Sequence, residues 1–129
     1  MQEHLPDERR SRTHRFQVGD RKGYIIVGYY ENGSPGEVQI VIAKSGEPER
    51  SLWEAVSILV SLGLQYGVPL QAICEKLQRI RDVSGGWTGS AEIPQAASVI
   101  DYVFQWLALP RPGPLLWENN TKENDDEHV

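Results

Sequence analysis

A chain of 129 residues and 14.6 kDa fits one domain with one core, and its 40 % hydrophobic and 24 % charged residues are those of an ordinary globular protein. The net charge of −5 argues against bulk nucleic-acid binding, and no apolar run approaches the ~20 residues of a membrane helix. Cys74 is the only cysteine, so no internal disulfide or dithiol pair is available, and with no apolar segment after Met1–Gln2–Glu3–His4 a cytoplasmic setting is expected.

Residues 1–12 are polar, contain Pro6 and show no periodicity, so they read as an extended arm. Residues 9–22 carry a basic stretch, Arg9, Arg10, Arg12, Arg15, Arg21 and Lys22 against Asp20 alone, which reads either as a solvated segment or as a local contact for phosphate. Residues 13–44 read as three strands. In the first, His14, Phe16 and Val18 alternate with Arg15 and Gln17. A turn at Gly19–Gly23 leads to Tyr24–Tyr30, apolar on both faces like a central strand covered on both sides. Asn32–Gly33 is a strong turn signal, lengthened by Pro35–Gly36. In the third strand Val38, Ile40 and Ile42 alternate with Glu37, Gln39 and Val41.

After a polar connector from Lys44 to Arg50, Ser51 with Glu54 forms a capping-box pattern that opens a helix through Leu64 or Tyr66. Gly67 closes it, and Val68–Pro69 starts a second helix with Leu70, Ile73, Cys74, Leu77 and Ile80 on one face. Asp82–Glu92 is a loop. Pro94 opens a third helix with a core face of Ala96, Ala97, Ile100, Val103, Phe104 and Leu107, ended by Pro110 and Pro112. Residues 110–129 read as an acidic, flexible tail. Strands grouped before helices predict an α+β domain over residues 13–109, a three-stranded antiparallel sheet followed by three helices packed in one layer.

Several short strings in this order resemble the C-terminal, TSCPD-type domain of vitamin B12-dependent class II ribonucleotide reductases. They are Leu5–Pro6–Asp7–Glu8–Arg9–Arg10–Ser11, Gly23–Tyr24–Ile25, Asn32–Gly33–Ser34–Pro35–Gly36–Glu37–Val38, Leu64–Gln65–Tyr66–Gly67–Val68–Pro69–Leu70, Ser84–Gly85–Gly86–Trp87–Thr88–Gly89 and Asp101–Tyr102–Val103–Phe104–Gln105–Trp106–Leu107–Ala108–Leu109. The resemblance implies a link to nucleotide reduction, which in that family needs adenosylcobalamin held on a different domain, a thiyl radical and a reducing cysteine pair. The Thr-Ser-Cys-Pro-Asp string that names the domain is absent, as is a cysteine cluster or a radical-bearing barrel. The resemblance therefore implies an accessory role without catalysis by this chain alone, and no catalytic residue or bound cofactor is expected.

The loop from Asp82 to Gly89 is the foremost candidate site. Gly85, Gly86 and Gly89 let backbone amides approach a phosphate, Ser84 and Thr88 offer hydroxyls, Trp87 offers a stacking plate, and Arg79 and Arg81 stand just before it. The bland alternative is a tight turn with Trp87 as a buried anchor. Arg9, Arg10 and Arg12 are a second candidate contact for a nucleotide-type ligand. Tyr24, Tyr29 and Tyr30 form either a base-stacking face or core packing. Cys74 reads as core, Trp53, Trp106 and Trp117 as packing or interface residues, and His4, His14 and His128 lack metal-ligand spacing, so no metal is expected.

Three functions follow. One is an accessory domain acting with a ribonucleotide reductase catalytic subunit. Another is a small-molecule binder that sequesters a nucleotide signal, as a small viral protein would. The third is an interaction module. A homo-oligomer is expected because Leu52, Trp53, Ala55, Val56, Ile58, Leu59, Val60, Leu62 and Leu64 make the first helix apolar nearly all round.

Overall fold

The computed structural model describes residues 1–110. Strands β1 (Ser11–Val18), β2 (Arg21–Tyr29) and β3 (Pro35–Ile42) form an antiparallel sheet in the order β1-β2-β3. Helices α1 (Glu47–Gln65), α2 (Leu70–Leu77) and α3 (Val99–Ala108) follow, with a small hairpin, β4 (Gly86–Trp87) and β5 (Gln95–Ala96), between the last two. This is the α+β class that the sequence predicts.

The strand register explains the core. Phe16, Gly23 and Ile42 are cross-strand neighbours, as are His14, Ile25 and Ile40, and Arg12, Val27 and Val38. These side chains share one face because strand side chains alternate with period two. That face is buried against Trp53, Val60 and Leu64 of α1, Cys74 of α2, and Tyr102, Val103, Phe104 and Trp106 of α3. Gly23 is obligatory here: a Cβ on it would stand 2.4 Å from the Val41 carbonyl oxygen and 2.9 Å from the Phe16 ring.

The other face of the sheet is not covered by any of the described residues, which corrects the expectation of a central strand buried on both sides. Tyr24 and Val41 are exposed there and Ile26 is half-buried. The helices are too few to cover both faces, because α1 is used at an edge. It runs beside β3, whose outward N–H groups would otherwise be unpaired. The Val38 N–H donates to Ser61 Oγ at 2.9 Å and the Ile40 N–H to Ser57 Oγ at 2.9 Å. Ser57 in turn donates to the Trp53 carbonyl, and Ser61 to that of Val38.

β1 opens at Ser11, inside the expected arm, and β3 at Pro35, inside the expected turn, and three helix boundaries also differ from the sequence reading. α1 opens four residues before Ser51, with Gly46 as its N-cap and Pro48 in the first turn, where a missing N–H costs nothing. Ser51 instead donates to the Pro48 carbonyl. α2 ends at Leu77, so Ile80 lies outside it. α3 starts at Val99 rather than Pro94, because extended Ser98 accepts the Asp101 N–H through its hydroxyl and caps the helix there. Pro94 and Ala96 belong to the hairpin region instead.

Residues 1–10 form no helix or strand and are tied to the domain by hydrogen bonds. The Glu3 N–H donates to the Gln65 carbonyl at 2.8 Å, Tyr30 donates its hydroxyl proton to the Glu3 carbonyl, and Gln2 donates to the Gln65 side chain. The expected acidic tail lies, from residue 111 onward, outside the described residues.

Candidate functional site

The candidate loop is a folded unit whose polar groups are largely spent on itself. The Gly19 N–H donates to the Trp87 carbonyl at 2.8 Å, which ties β4 to the β1–β2 turn. The Thr88 N–H donates to the Pro94 carbonyl, and its hydroxyl donates to the Ile93 carbonyl and accepts the Ser90 N–H. Ser84 Oγ accepts the Val99 N–H at 2.9 Å, satisfying one of the orphan donors at the start of α3, while Asp82 accepts from the Ser84 N–H and hydroxyl. Gly85 is required by packing, since a Cβ there would sit 2.5 Å from the Ala97 carbonyl oxygen, and Gly86 lies against Gly19. Gly89 has φ +74° and open space around it, so its role is the turn. All three glycines and both hydroxyls therefore have structural roles.

Trp87 is different. The hairpin leaves it 70 % exposed, which overturns the buried-anchor alternative. Arg79 and Arg81 are exposed in the segment leading into the loop. Arg79 has φ +71°, the left-handed region that non-glycine residues seldom enter. Its backbone is held there by Asp101.

Asp101 is the residue that sequence reasoning missed. It is 4 % exposed. Oδ1 accepts the Arg79 N–H at 2.6 Å, and Oδ2 accepts the Ala97 N–H at 2.8 Å and the Gln105 amide at 2.8 Å. One carboxylate thus joins the end of α2, the strand leaving the hairpin and the first turn of α3, where the helix dipole favours negative charge. The signal was present as Ser98-x-x-Asp101, a capping arrangement hidden by the earlier helix start assigned at Pro94.

The second candidate contact stands elsewhere. Arg9 donates to Glu37 at 2.5 Å and to the Pro6 carbonyl at 2.8 Å, beside Gly28. The Arg10 carbonyl accepts the Tyr29 N–H, and the Arg12 guanidinium lies 5.9 Å from the Trp106 ring centre. Arg12 lies near the start of β1 and Gly19 just past its end, roughly 23 Å apart at the rise of a strand. Arg79 and Arg81 stand in the segment leading into the hairpin that carries Trp87, and Arg9, Arg10 and Arg12 lie at the other end of β1 from that hairpin.

His14 is clasped between rings. It stacks on Trp106 at 4.4 Å and 8°, and its Nε2 is 2.8 Å from the Tyr102 hydroxyl. The tyrosines do not form one stacking face: Tyr29 is buried, Tyr24 faces out, and Tyr30 is bonded to Glu3. Trp53 and Trp106 are core, and Trp117 lies outside the described residues. Among the described residues no group of three or more His, Cys, Asp or Glu side chains is placed to hold a metal, and no helix is long and apolar enough to cross a membrane. An open groove of about 630 Å³ runs between the outer side of β3 and α1, lined in part by Gln39, Val41, Arg50, Glu54, Ile58 and Gln65.

Comparison with known proteins gives one consistent result. The TSCPD domain family profile matches residues 2–109. A vitamin B12-dependent ribonucleotide reductase of Rhodopirellula baltica is 39 % identical over 107 residues, 83 % of this chain and 10 % of the relative. That of Bradyrhizobium diazoefficiens is 40 % identical over 108 residues, 83 % of this chain and 9 % of the relative. That of Streptomyces coelicolor is 37 % identical over 109 residues, 84 % of this chain and 11 % of the relative. No solved structure matches. The chain spans about a tenth of the length of these relatives, and with the match covering its sheet, its hairpin and all three helices, it belongs to the TSCPD domain family.

Proposed function

We propose that this chain is a non-catalytic TSCPD domain serving nucleotide reduction, working with a ribonucleotide reductase catalytic subunit, and that it meets a nucleotide-type ligand at the Trp87 hairpin. The similarity to named reductases supports the first half, and the state of Cys74 supports the absence of catalysis. Its side chain is fully buried, and burial, with a smaller contribution from Glu75, pushes the thiol pKa up to about 11. Thiol–disulfide exchange uses an accessible thiolate, and this thiol is neither accessible nor readily ionised.

In this reading the cobalamin belongs to a different domain, and His14 is stacked and hydrogen-bonded inside the aromatic cluster. No step of the reduction is assigned to this chain.

The observation that carries the ligand reading is the exposure of Trp87 on a backbone fixed by pairing at Gly19 and Pro94. A tryptophan left in water on a rigid hairpin is a ready stacking surface, and Arg79 and Arg81 add charge-assisted donors for phosphate. The test is calorimetric titration of wild type and Arg81→Ala with nucleoside triphosphates, deoxynucleotides and cyclic nucleotides. Arg81 is exposed, so its removal costs under about 0.5 kcal/mol of stability. Loss of a charge-assisted contact costs about 1.5–3 kcal/mol of affinity, roughly 10- to 150-fold. Absence of heat with every ligand in wild type refutes the ligand reading. Tight binding unchanged in Arg81→Ala moves the site. The exposed Trp87 equally suits a protein that sequesters a nucleotide signal, which native mass spectrometry distinguishes by a co-purified nucleotide.

A further inference from the structure

α1 is apolar on two opposite sides, and among the described residues only one of them is covered. Trp53, Val60 and Leu64 face the core. On the far side Leu52 and Leu59 are each 67 % exposed, Ile58 58 %, Tyr66, the residue that caps α1, 56 % and Leu62 41 %, with exposed Ala55 among them. At about 100° per residue these six positions cover about 120° of the helix surface. A stripe of that width is what a helix ordinarily turns towards a core. Leu52, Ala55, Leu59, Leu62 and Tyr66 also follow one another at alternating steps of three and four, the spacing of a seam between two helices.

We propose that this stripe pairs with the same stripe of a second copy of the chain, two-fold and antiparallel. Leu59 then meets the partner's Leu59 near the axis, and Leu52 meets the partner's Tyr66. The proposal does not depend on the nucleotide reading. Leu59 stands seven residues from both Leu52 and Tyr66, so reversing the helix lays the stripe on itself, as an isologous interface requires.

Charge selects the antiparallel direction. Every charged residue of α1, Glu47, Glu49, Arg50 and Glu54, lies in its first eight positions, and residues 55–65 carry none. A parallel pair would set two net-acidic ends side by side and align the helix dipoles. An antiparallel pair sets each charged end against an uncharged one and opposes the dipoles. The exposed stripe offers on the order of 600 Å² per copy, so a two-fold pair buries about 1,200 Å², the lower limit for a specific interface.

The test is sedimentation equilibrium of the full chain from roughly 1 to 200 µM, a range that brackets the micromolar affinity of a small interface. Wild type is expected to move from 14.6 kDa towards twice that mass. Leu59→Lys should weaken association about tenfold or more, with near-ultraviolet circular dichroism unchanged because the site is exposed. Direction is read by oxidative cross-linking. A mixture of Leu52→Cys and Tyr66→Cys should form the mixed disulfide, and Leu52→Cys alone should not cross-link. Buried Cys74 stays silent in both. A wild-type monomer at all concentrations overturns the proposal, as does a dimer indifferent to Leu59→Lys. Self-cross-linking of Leu52→Cys overturns the direction. A monomer that instead binds a reductase catalytic subunit through Leu59 assigns the stripe to that subunit and overturns the pairing.

Discussion

Removing the Asp101 carboxylate should unfasten the junction that carries the candidate loop. In Asp101→Ala the Arg79 and Ala97 N–H groups lose their acceptor, and Gln105 loses its partner. Each hydrogen bond to a charged acceptor contributes about 1.5–3 kcal/mol, and the two backbone donors cannot find a replacement without water entering the junction. Partial entry of water and relaxation reduce the sum, so the expected loss is about 3–5 kcal/mol. Asp101→Asn keeps one acceptor oxygen but turns an amide NH₂ towards a donor, and should cost about 1–3 kcal/mol. Urea unfolding followed by far-ultraviolet circular dichroism measures both, and a thermal scan of the alanine variant should show a midpoint lowered by about 12–25 °C. A loss below about 1 kcal/mol in Asp101→Ala, or equal losses in the two variants, refutes the reasoning: the carboxylate would then not be the acceptor that holds Arg79 in its left-handed conformation.

Gly85→Ala should destabilise the domain by about 1–3 kcal/mol in the absence of any ligand, because the new methyl meets the Ala97 carbonyl; the same urea titration reads it. A neutral result would return Gly85 to the ligand-approach reading. The Cys74 thiol holds its proton more tightly folded than unfolded, so its contribution to stability is complete below about pH 9, the ordinary thiol value, and is lost as pH rises towards about 11. Across that window stability should fall by up to about 1.4 kcal/mol per pH unit, and the native protein at pH 8 should resist a thiol-modifying reagent that labels the unfolded chain rapidly. Cys74→Ala should abolish the thiol's share of this alkaline slope.

The sequence by itself determined the class, the strand order and the inward residues of the sheet. Alternation at His14, Phe16 and Val18 and at Val38, Ile40 and Ile42 has a period that only a strand satisfies, and the turn at Asn32–Gly33 leaves little choice of connection. Family membership was equally legible, because it resides in short strings that keep their order along the chain. The use of each polar group was not. Whether Ser57 and Ser61 face water or the open edge of β3 depends on where α1 lies in space. Tertiary packing also left one face of the sheet uncovered and gave the Ser84 and Thr88 hydroxyls to the loop's own backbone. It turned Trp87 outward, and it separated Arg12 from that loop by the length of β1. Local patterns record which residues avoid water. Which donor meets which acceptor across 20 or more residues of sequence, as Arg79 meets Asp101, is decided only when the elements dock.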